Sequence, residues 1–385
     1  MNIDKLTRPS WVEVDLDVIT KNVKNIKDIC GNKVTVIGTL KGHGYGHGLV
    51  TIANHLSDLG IDYYAVGHVH DGIYLRKHGV KGKIMVFGNT LPDAAELYTK
   101  YSLMPTFFNA NDPEKYMSVL GAKTPLKVWI KVETGLGRLG VSVEEVPAML
   151  KFIKEKTPYE IEGIYSHIGA RGGSPAPEDK EYCLKSWELF RGLLEEIEGM
   201  GIQIPLKEIN SSHSMITMPF ANLNCVNVGG ALYSELLPEN KYDFGSAYKA
   251  LKSKLISVKK FKAGSQIGGF PLERDSLIGV APIGVMDGLS PKNKDHCVLV
   301  RGTRVPIRGP LTAECIRIDV TDAEGVSVGD EVTIVGRQGN EEITAKEMCD
   351  RVGITILQLW TGISPLTVPR VFYKNGKICG MEMIE

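Results

Sequence analysis

Between about residue 17 and residue 230, short runs rich in β-branched and aromatic residues alternate with longer stretches of helical period, and this alternation restricts the fold more than any other feature. Eight candidate strands fall at 34–39, 63–67, 83–87, 102–106, 127–132, 160–165, 206–210 and 225–229. Amphipathic segments such as 142–156 and 178–200 fill the gaps. Eight βα units over about 210 residues are the arithmetic of a (β/α)₈ barrel. A doubly wound sheet is the alternative, but no GxGxxG opens a first helix to support it. A chain of 385 residues exceeds the size at which one core stops growing, so a second domain is expected. After residue 245 the texture changes to short, closely spaced strands at 254–261, 277–284, 297–301, 314–319 and 331–335, which read as an all-β domain. The expected division is 17–243 for the barrel and 244–385 for the β domain. The alternating stretch 10–16 is expected to pair into the latter.

Charge limits the partners. Lys and Arg number 45 and so do Asp and Glu, with no long run of either sign, which argues against nucleic acid or an anionic membrane and favours a small molecule. The seven cysteines are odd in number and form no CxxC pair, against a disulfide framework or structural zinc. Residues 1–9 lead into no apolar stretch and no segment reaches the length of a membrane span, so a cytoplasmic enzyme is expected.

In a barrel the active site lies at the C-terminal ends of the strands, so the polar residues there carry functional weight. The first strand runs into Lys41-Gly42-His43-Gly44-Tyr45-Gly46-His47-Gly48, where glycines would let a flat ring approach the backbone. Lys131, Glu133 and Arg138 follow or end strand five. Ser166 and His167 follow strand six, Asn210, Ser211, Ser212 and His213 strand seven, and Gly229 and Gly230 strand eight. Serine hydroxyls and glycine amides after strands seven and eight suit a phosphate. One phosphate, one aromatic ring and one lysine-reactive aldehyde would satisfy the whole set, and pyridoxal phosphate has all three. His68 and His70 suggest a metal pair, but on an extended segment alternate residues of this kind find no third ligand, and no metal is expected.

These residues resemble the alanine racemase family, whose members join a pyridoxal-phosphate (β/α)₈ barrel to a β domain. The likeness runs from Arg8-Pro9-Ser10-Trp11 to Val368-Pro369-Arg370-Val371 and is most specific in the lysine loop and in Glu133-Thr134-Gly135-Leu136-Gly137-Arg138-Leu139-Gly140. The resemblance implies that Lys41 is the Schiff-base lysine, that Tyr45, Ser211, Gly229 and Gly230 hold phosphate, and that Asn210 lies in the cofactor site. It further implies that Arg138 meets the ring hydroxyl and the substrate carboxylate, that His167 lies against the pyridine, and that Lys131 falls where many members carry a carbamylated lysine. It also implies a head-to-tail homodimer acting on an amino acid.

Departures from the family pattern cluster on one side. Asn227 stands where the family has an arginine facing the pyridine nitrogen. The family's second-base tyrosine aligns with Gly269 or Phe270, and no tyrosine occurs from 249 to 372. Val285 and Leu357 replace two more tyrosines, and Ala313 replaces an active-site methionine on the substrate side. Cys315 is a candidate acid for the second face. Lost bulk predicts a substrate larger than alanine. A lyase, decarboxylase or dehydratase, needing a base on one face only, is the alternative chemistry, and a non-catalytic cofactor-binding protein is the alternative class.

Overall fold

The computed structural model describes residues 6–384 apart from 89, 170–176, 235–236, 238–240 and 293–295. It divides into a barrel unit, residues 18–44 and 49–246, and a C-terminal unit that also takes in the chain up to Asp17 and the short segment Tyr45–Gly48. The first strand, β1 (Ser10–Asp15), belongs to the C-terminal unit.

The barrel strands are β2 (Thr35–Thr39), β3 (Tyr63–Val66), β4 (Lys83–Val86), β5 (Thr106–Phe107), β6 (Leu126–Glu133), a short β7 (Val141–Ser142) paired to the end of β6, β8 (Tyr159–Tyr165), β9 (Leu206–Glu208) and β10 (Cys225–Val228). All pair in parallel, in the orders β10-β2-β3-β4 and β5-β6-β8-β9. A bridge between Met85 and Met104 joins the two sets on one side. On the other, the Lys207 amide donates to the Asn224 side chain at 2.8 Å. The interior is packed: Ile37, Tyr63, Ala65, Met85, Met104, Trp129, Tyr165 and Cys225 form one buried cluster. A side chain at Gly163 would sit 2.4 Å from the Trp129 ring, so glycine makes room for the indole, whose Nε1 donates to the Tyr63 hydroxyl at 2.7 Å. Because side chains alternate along a strand, Lys131, His167 and Glu208 lie on the same inward face, two residues beyond Trp129, Tyr165 and Leu206.

The expected strand 102–106 shrinks to Thr106–Phe107 with a single bridge at Met104. Pro105 has no amide to donate and Ser102 takes a left-handed φ of 51°. The expected helix 142–156 starts at Val146, with a proline in its first turn.

In the C-terminal unit the expected strand 254–261 breaks after Lys254 into β11 (Tyr248–Lys254) and β12 (Ser257–Phe261). The chain continues through the hairpin β13 (Gln266–Ile267) and β14 (Phe270–Pro271), then β15 (Ser276–Ala281), β16 (Cys297–Val300), β17 (Thr303–Pro306), β18 (Ile316–Asp319), β19 (Glu331–Gln338), β20 (Glu341–Ile343), β21 (Arg370–Lys374) and β22 (Lys377–Glu382). The main sheet runs β17-β16-β19-β11-β1-β21-β22, and a smaller one β12-β15-β18. β1 pairs antiparallel with β11 and parallel with β21. Two helices, Ala345–Val352 and Ile356–Gly362, make the unit mostly rather than wholly β. Thr344 and Thr355 cap them, and Gly353 ends the first in the left-handed region.

Two arginines organise this unit. Arg370, wholly buried, donates to the carbonyls of Gly46 at 2.8 Å, Val368 at 2.7 Å and Ile363 at 2.6 Å. Arg8 forks onto Asp287, whose carboxylate has no solvent exposure and also accepts the Gly284 amide at 2.7 Å. Removing the guanidinium strands a buried charge, which typically costs about 3–5 kcal/mol. Arg8→Met is therefore expected to lower the denaturation free energy by about 3 kcal/mol. An unchanged urea midpoint would show that Asp287 is hydrated rather than paired.

Candidate active site at the C-terminal ends of the barrel strands

Lys41 leaves β2 through a sharp turn. The Leu40 amide donates to Ala65 and the Gly44 amide returns to the Leu40 carbonyl, both at 2.8 Å. Gly42, His43 and Gly44 have φ of 62°, 56° and 60°, a left-handed turn that costs glycine little and an ordinary residue such as His43 roughly 1–2 kcal/mol. Its glycines thus serve the backbone. Gly46 and Gly48 serve packing in the C-terminal unit, where a side chain would lie 2.0 Å from the Trp360 carbonyl and 2.6 Å from the Phe372 ring respectively. The sequence alone did not reveal these backbone and packing roles. Tyr45 also has positive φ, 53°, and opens the segment held in that unit. At the end of β3, Gly67 leaves space for Lys41: a side chain there would approach Lys41 Cβ to 3.3 Å. The Lys41 ammonium stands 5.6 Å from the centre of the Phe87 ring.

Lys41, Lys131, Arg138 and His167 come together at this mouth, and the charge of Arg138 adds to burial in lowering the other three. Burial, then Arg138, pull the Lys41 amine below the usual lysine range. Burial lowers Lys131 too, with Glu208 opposing and Arg138 and Lys41 assisting. His167 is driven down to about 3 by burial and then by Lys131, Arg138 and Lys41, so its imidazole is neutral at physiological pH. Glu133 does not neutralise the group by contact. Its carboxylate accepts the amides of Gly135 at 2.6 Å and Arg138 at 3.2 Å and so shapes the loop that carries Arg138. Burial would raise that carboxyl, and backbone donors outweigh it. Arg138 itself is exposed.

After β9, Asn210 is buried. Its Nδ2 donates to Asn222 at 2.6 Å, while its Oδ1 has no hydrogen-bond partner among the described residues. Ser211 caps the helix Ser212–Thr217 through a reciprocal pair with Ser214. Ser212, placed after strand seven by the sequence but given no role by the resemblance, is the hydroxyl that meets the turn after β10: it accepts the Gly229 amide at 3.3 Å and the Ala231 amide at 3.1 Å. Gly230 begins the helical turn Gly230–Tyr233. Asn227 accepts a hydrogen bond from Thr39 at 2.5 Å across the β10–β2 register, and the Tyr233 hydroxyl donates to the Thr39 carbonyl at 3.0 Å. The other residue missed is Glu208, two positions before Asn210 on the same inward face.

The remaining candidates lie in the C-terminal unit. Gly268 and Gly269 form the left-handed tip of the β13–β14 hairpin, and Phe270 is exposed beside it. Ala313 is exposed. Cys315 is half-buried in a turn closed by Thr312, and burial raises its thiol. His68 is not on an extended run: it precedes the helix Val69–Lys77, which contains His70. Among the described residues no group of three or more His, Cys, Asp or Glu is placed to hold a metal ion, and no helix is long and apolar enough to cross a membrane.

Residues 14–236 match the N-terminal domain of alanine racemase and 249–372 its C-terminal domain. The chain belongs to the alanine racemase family. Alanine racemase 1 of Caldanaerobacter subterraneus subsp. tengcongensis is 33% identical over 380 residues, 96% of each chain. The alanine racemase of Bacillus anthracis, solved with L-Ala-P bound, superposes with a TM-score of 0.90 at 27% identity, covering 98% of both chains. A histidine racemase of Leuconostoc mesenteroides subsp. sake shares the fold, with a TM-score of 0.84 at 23% identity over 97% of this chain and 100% of its own. As an alanine racemase family member the protein is a pyridoxal-phosphate-dependent racemase. The residues present fit that cofactor: a lysine amine shifted toward its neutral form, hydroxyl and amide donors after β9 and β10, and the unsatisfied Asn210 oxygen.

The site makes a pH prediction. The unfolded imidazole protonates near 6.5 and the folded one near 3, so the unfolded state gains a proton first as pH falls, and stability is lost across that window. Ring NMR should find His167 neutral at pH 5, and His167→Gln should flatten the acid limb of the stability curve. A His167 that titrates near 6.5 would contradict the packing of charges described.

Proposed function

We propose that the protein interconverts the enantiomers of an amino acid bulkier than alanine, with pyridoxal phosphate held covalently by Lys41. The observation that carries this reading is the convergence of Lys41, Lys131, Arg138 and His167 at neighbouring strand ends. When bound, the cofactor withdraws electrons from the substrate α-carbon and makes its proton removable. The side chains do the rest. Burial and Arg138 favour the neutral Lys41 amine, the form able to take that proton and return it on one face. Exposed Arg138 offers a planar pair of donors to the substrate carboxylate, and Lys131 supports it from below. Neutral His167 packs without competing for that carboxylate. Tyr45, Ser211, Ser212, Gly229 and Gly230 hold the phosphate. Asn210 accepts from the cofactor, and Asn227 faces the pyridine as a neutral group.

A second copy of the chain, head to tail, completes the site with residues 265–290 or 310–316, and Cys315 is the candidate acid on the opposite face. Exposed Phe270, Met286 and Leu357 support an apolar surface that such a copy would cover. The substrate reading rests on Gly269, Ala313 and Leu357, which leave more room than a methyl group needs. One methylene of fit is worth roughly 1–3 kcal/mol, so alanine is expected to lose at least about tenfold in kcat/KM against the best substrate. A panel of L- and D-amino acids followed by optical rotation tests this. In deuterated water one enantiomer is expected to gain label quickly and the other slowly. Rapid, symmetric racemisation of alanine would overturn both the size and the asymmetry.

A further inference from the structure

Behind the loop that carries Arg138, three hydroxyls are buried where a polar group needs a partner: Thr134 at 4% exposure, Ser166 at 2% and Ser186 at 0%. They bond to one another. Thr134 Oγ1 lies 2.7 Å from Ser166 Oγ and 2.6 Å from Ser186 Oγ, and Ser166 donates to the Val132 carbonyl at 2.9 Å. Counting protons gives the string its direction. A carbonyl can only accept and a hydroxyl has one hydrogen, so Ser166 is spent on Val132 and accepts from Thr134, which in turn accepts from Ser186. Removing the middle hydroxyl would strand the Ser186 donor in the interior.

The string joins three elements of the barrel unit. Thr134 opens the loop after β6, Ser166 stands immediately before His167, and Ser186 belongs to the helix Pro177–Gly199. The Ser166 and Ile168 amides donate to the carbonyls of Glu208 and Ile209, both at 3.0 Å, so the segment bearing His167 is a fixed anchor. Tyr182, one turn before Ser186 on the same helix face, lies against the loop: a side chain at Gly135 would come within 3.2 Å of its ring. At the far end of the loop a side chain at Gly140 would sit 2.4 Å from the Glu133 amide nitrogen, and Val141 pairs with Val132. Residues 134–140 are therefore held at both ends, with Arg138 exposed between them.

We propose that Ser186, Thr134 and Ser166 are positioning residues: their one-way string of hydrogen bonds docks the loop onto the helix and presets the Arg138 guanidinium for the substrate carboxylate. The inference rests on the reading of Arg138 given above. The carboxylate keeps its charge while the α-proton leaves and returns, so its partner binds ground state and transition state alike. A loosened loop thus raises KM and spares kcat.

The cofactor-loaded protein is compared with Thr134→Val, Thr134→Ser and Ser186→Ala. The readings are KM and kcat for the best amino acid of the panel, acetate affinity from broadening of its ¹³C-carboxylate NMR line, and the rate of tryptic cleavage after Arg138 in the native protein. Thr134→Val is expected to raise KM about tenfold with kcat held within about threefold, to weaken acetate about tenfold, and to speed the cleavage. Thr134→Ser, which keeps the hydroxyl, is expected to stay within about twofold of the parent on every reading. Ser186→Ala removes only the first donor; it is expected to move the same readings by about threefold and serves if Thr134→Val does not fold. A lowered urea midpoint with KM, acetate affinity and cleavage all unmoved is the signature of a merely structural string and overturns the proposal. So does a parent protein that binds no acetate. If acetate affinity and cleavage respond while no amino acid is turned over, the inference stands and the proposed function falls.

Discussion

Positive charge crowded at the barrel mouth is the condition on which the rest of this site depends. Burial lowers the protonation of Lys41, Lys131 and His167, and the nearby charge of Arg138 lowers each of them further. Each group answers differently. His167 gives up its proton altogether and becomes an uncharged ring. Lys41 shifts toward the neutral amine that covalent chemistry needs. Arg138, whose guanidinium does not deprotonate, stays near water at the rim. Lys131, inside the barrel, is lowered by burial, with Glu208 opposing that shift.

Backbone geometry fixes which groups enter this field. Parallel pairing aligns the strand ends, and the two-residue alternation that buries Trp129, Tyr165 and Leu206 sends Lys131, His167 and Glu208 to the same inner face. Lys41 is aimed by the left-handed turn at 42–44, and Gly67 leaves the gap its stem occupies. The chain then passes to Tyr45–Gly48, where Arg370 grips the Gly46 carbonyl.

Much of this was legible in the sequence because periodicity reports burial. Seven of the eight barrel strands appear close to their expected positions. The fourth shrinks because Pro105 cannot join a ladder, a local veto that the apolar pattern around it hides. The two C-terminal helices carried their own signals, Thr344 with Glu347 and Thr355 with Gln358, but lay in a region whose dominant texture was strand. Motif residues were easy to select and their local roles were not. Only the structure shows that Ser211 caps its helix while Ser212 reaches the Gly229 turn, or that the loop glycines serve backbone and packing. Glu208 was visible as a polar residue inside a strand, but its burial in the same row as Lys131 follows only from the register.

The strand-end lysine is the one group that the proposed chemistry cannot do without, whatever residues complete the opposite face. The account therefore stands first on Lys41. Its most direct test is borohydride reduction of the cofactor-loaded protein followed by peptide mapping. The account predicts a yellow protein that bleaches on reduction, with the pyridoxyl label on Lys41 and none retained by Lys41→Ala. Covalent label on Lys131 or another lysine, or undiminished labelling of Lys41→Ala, would contradict it.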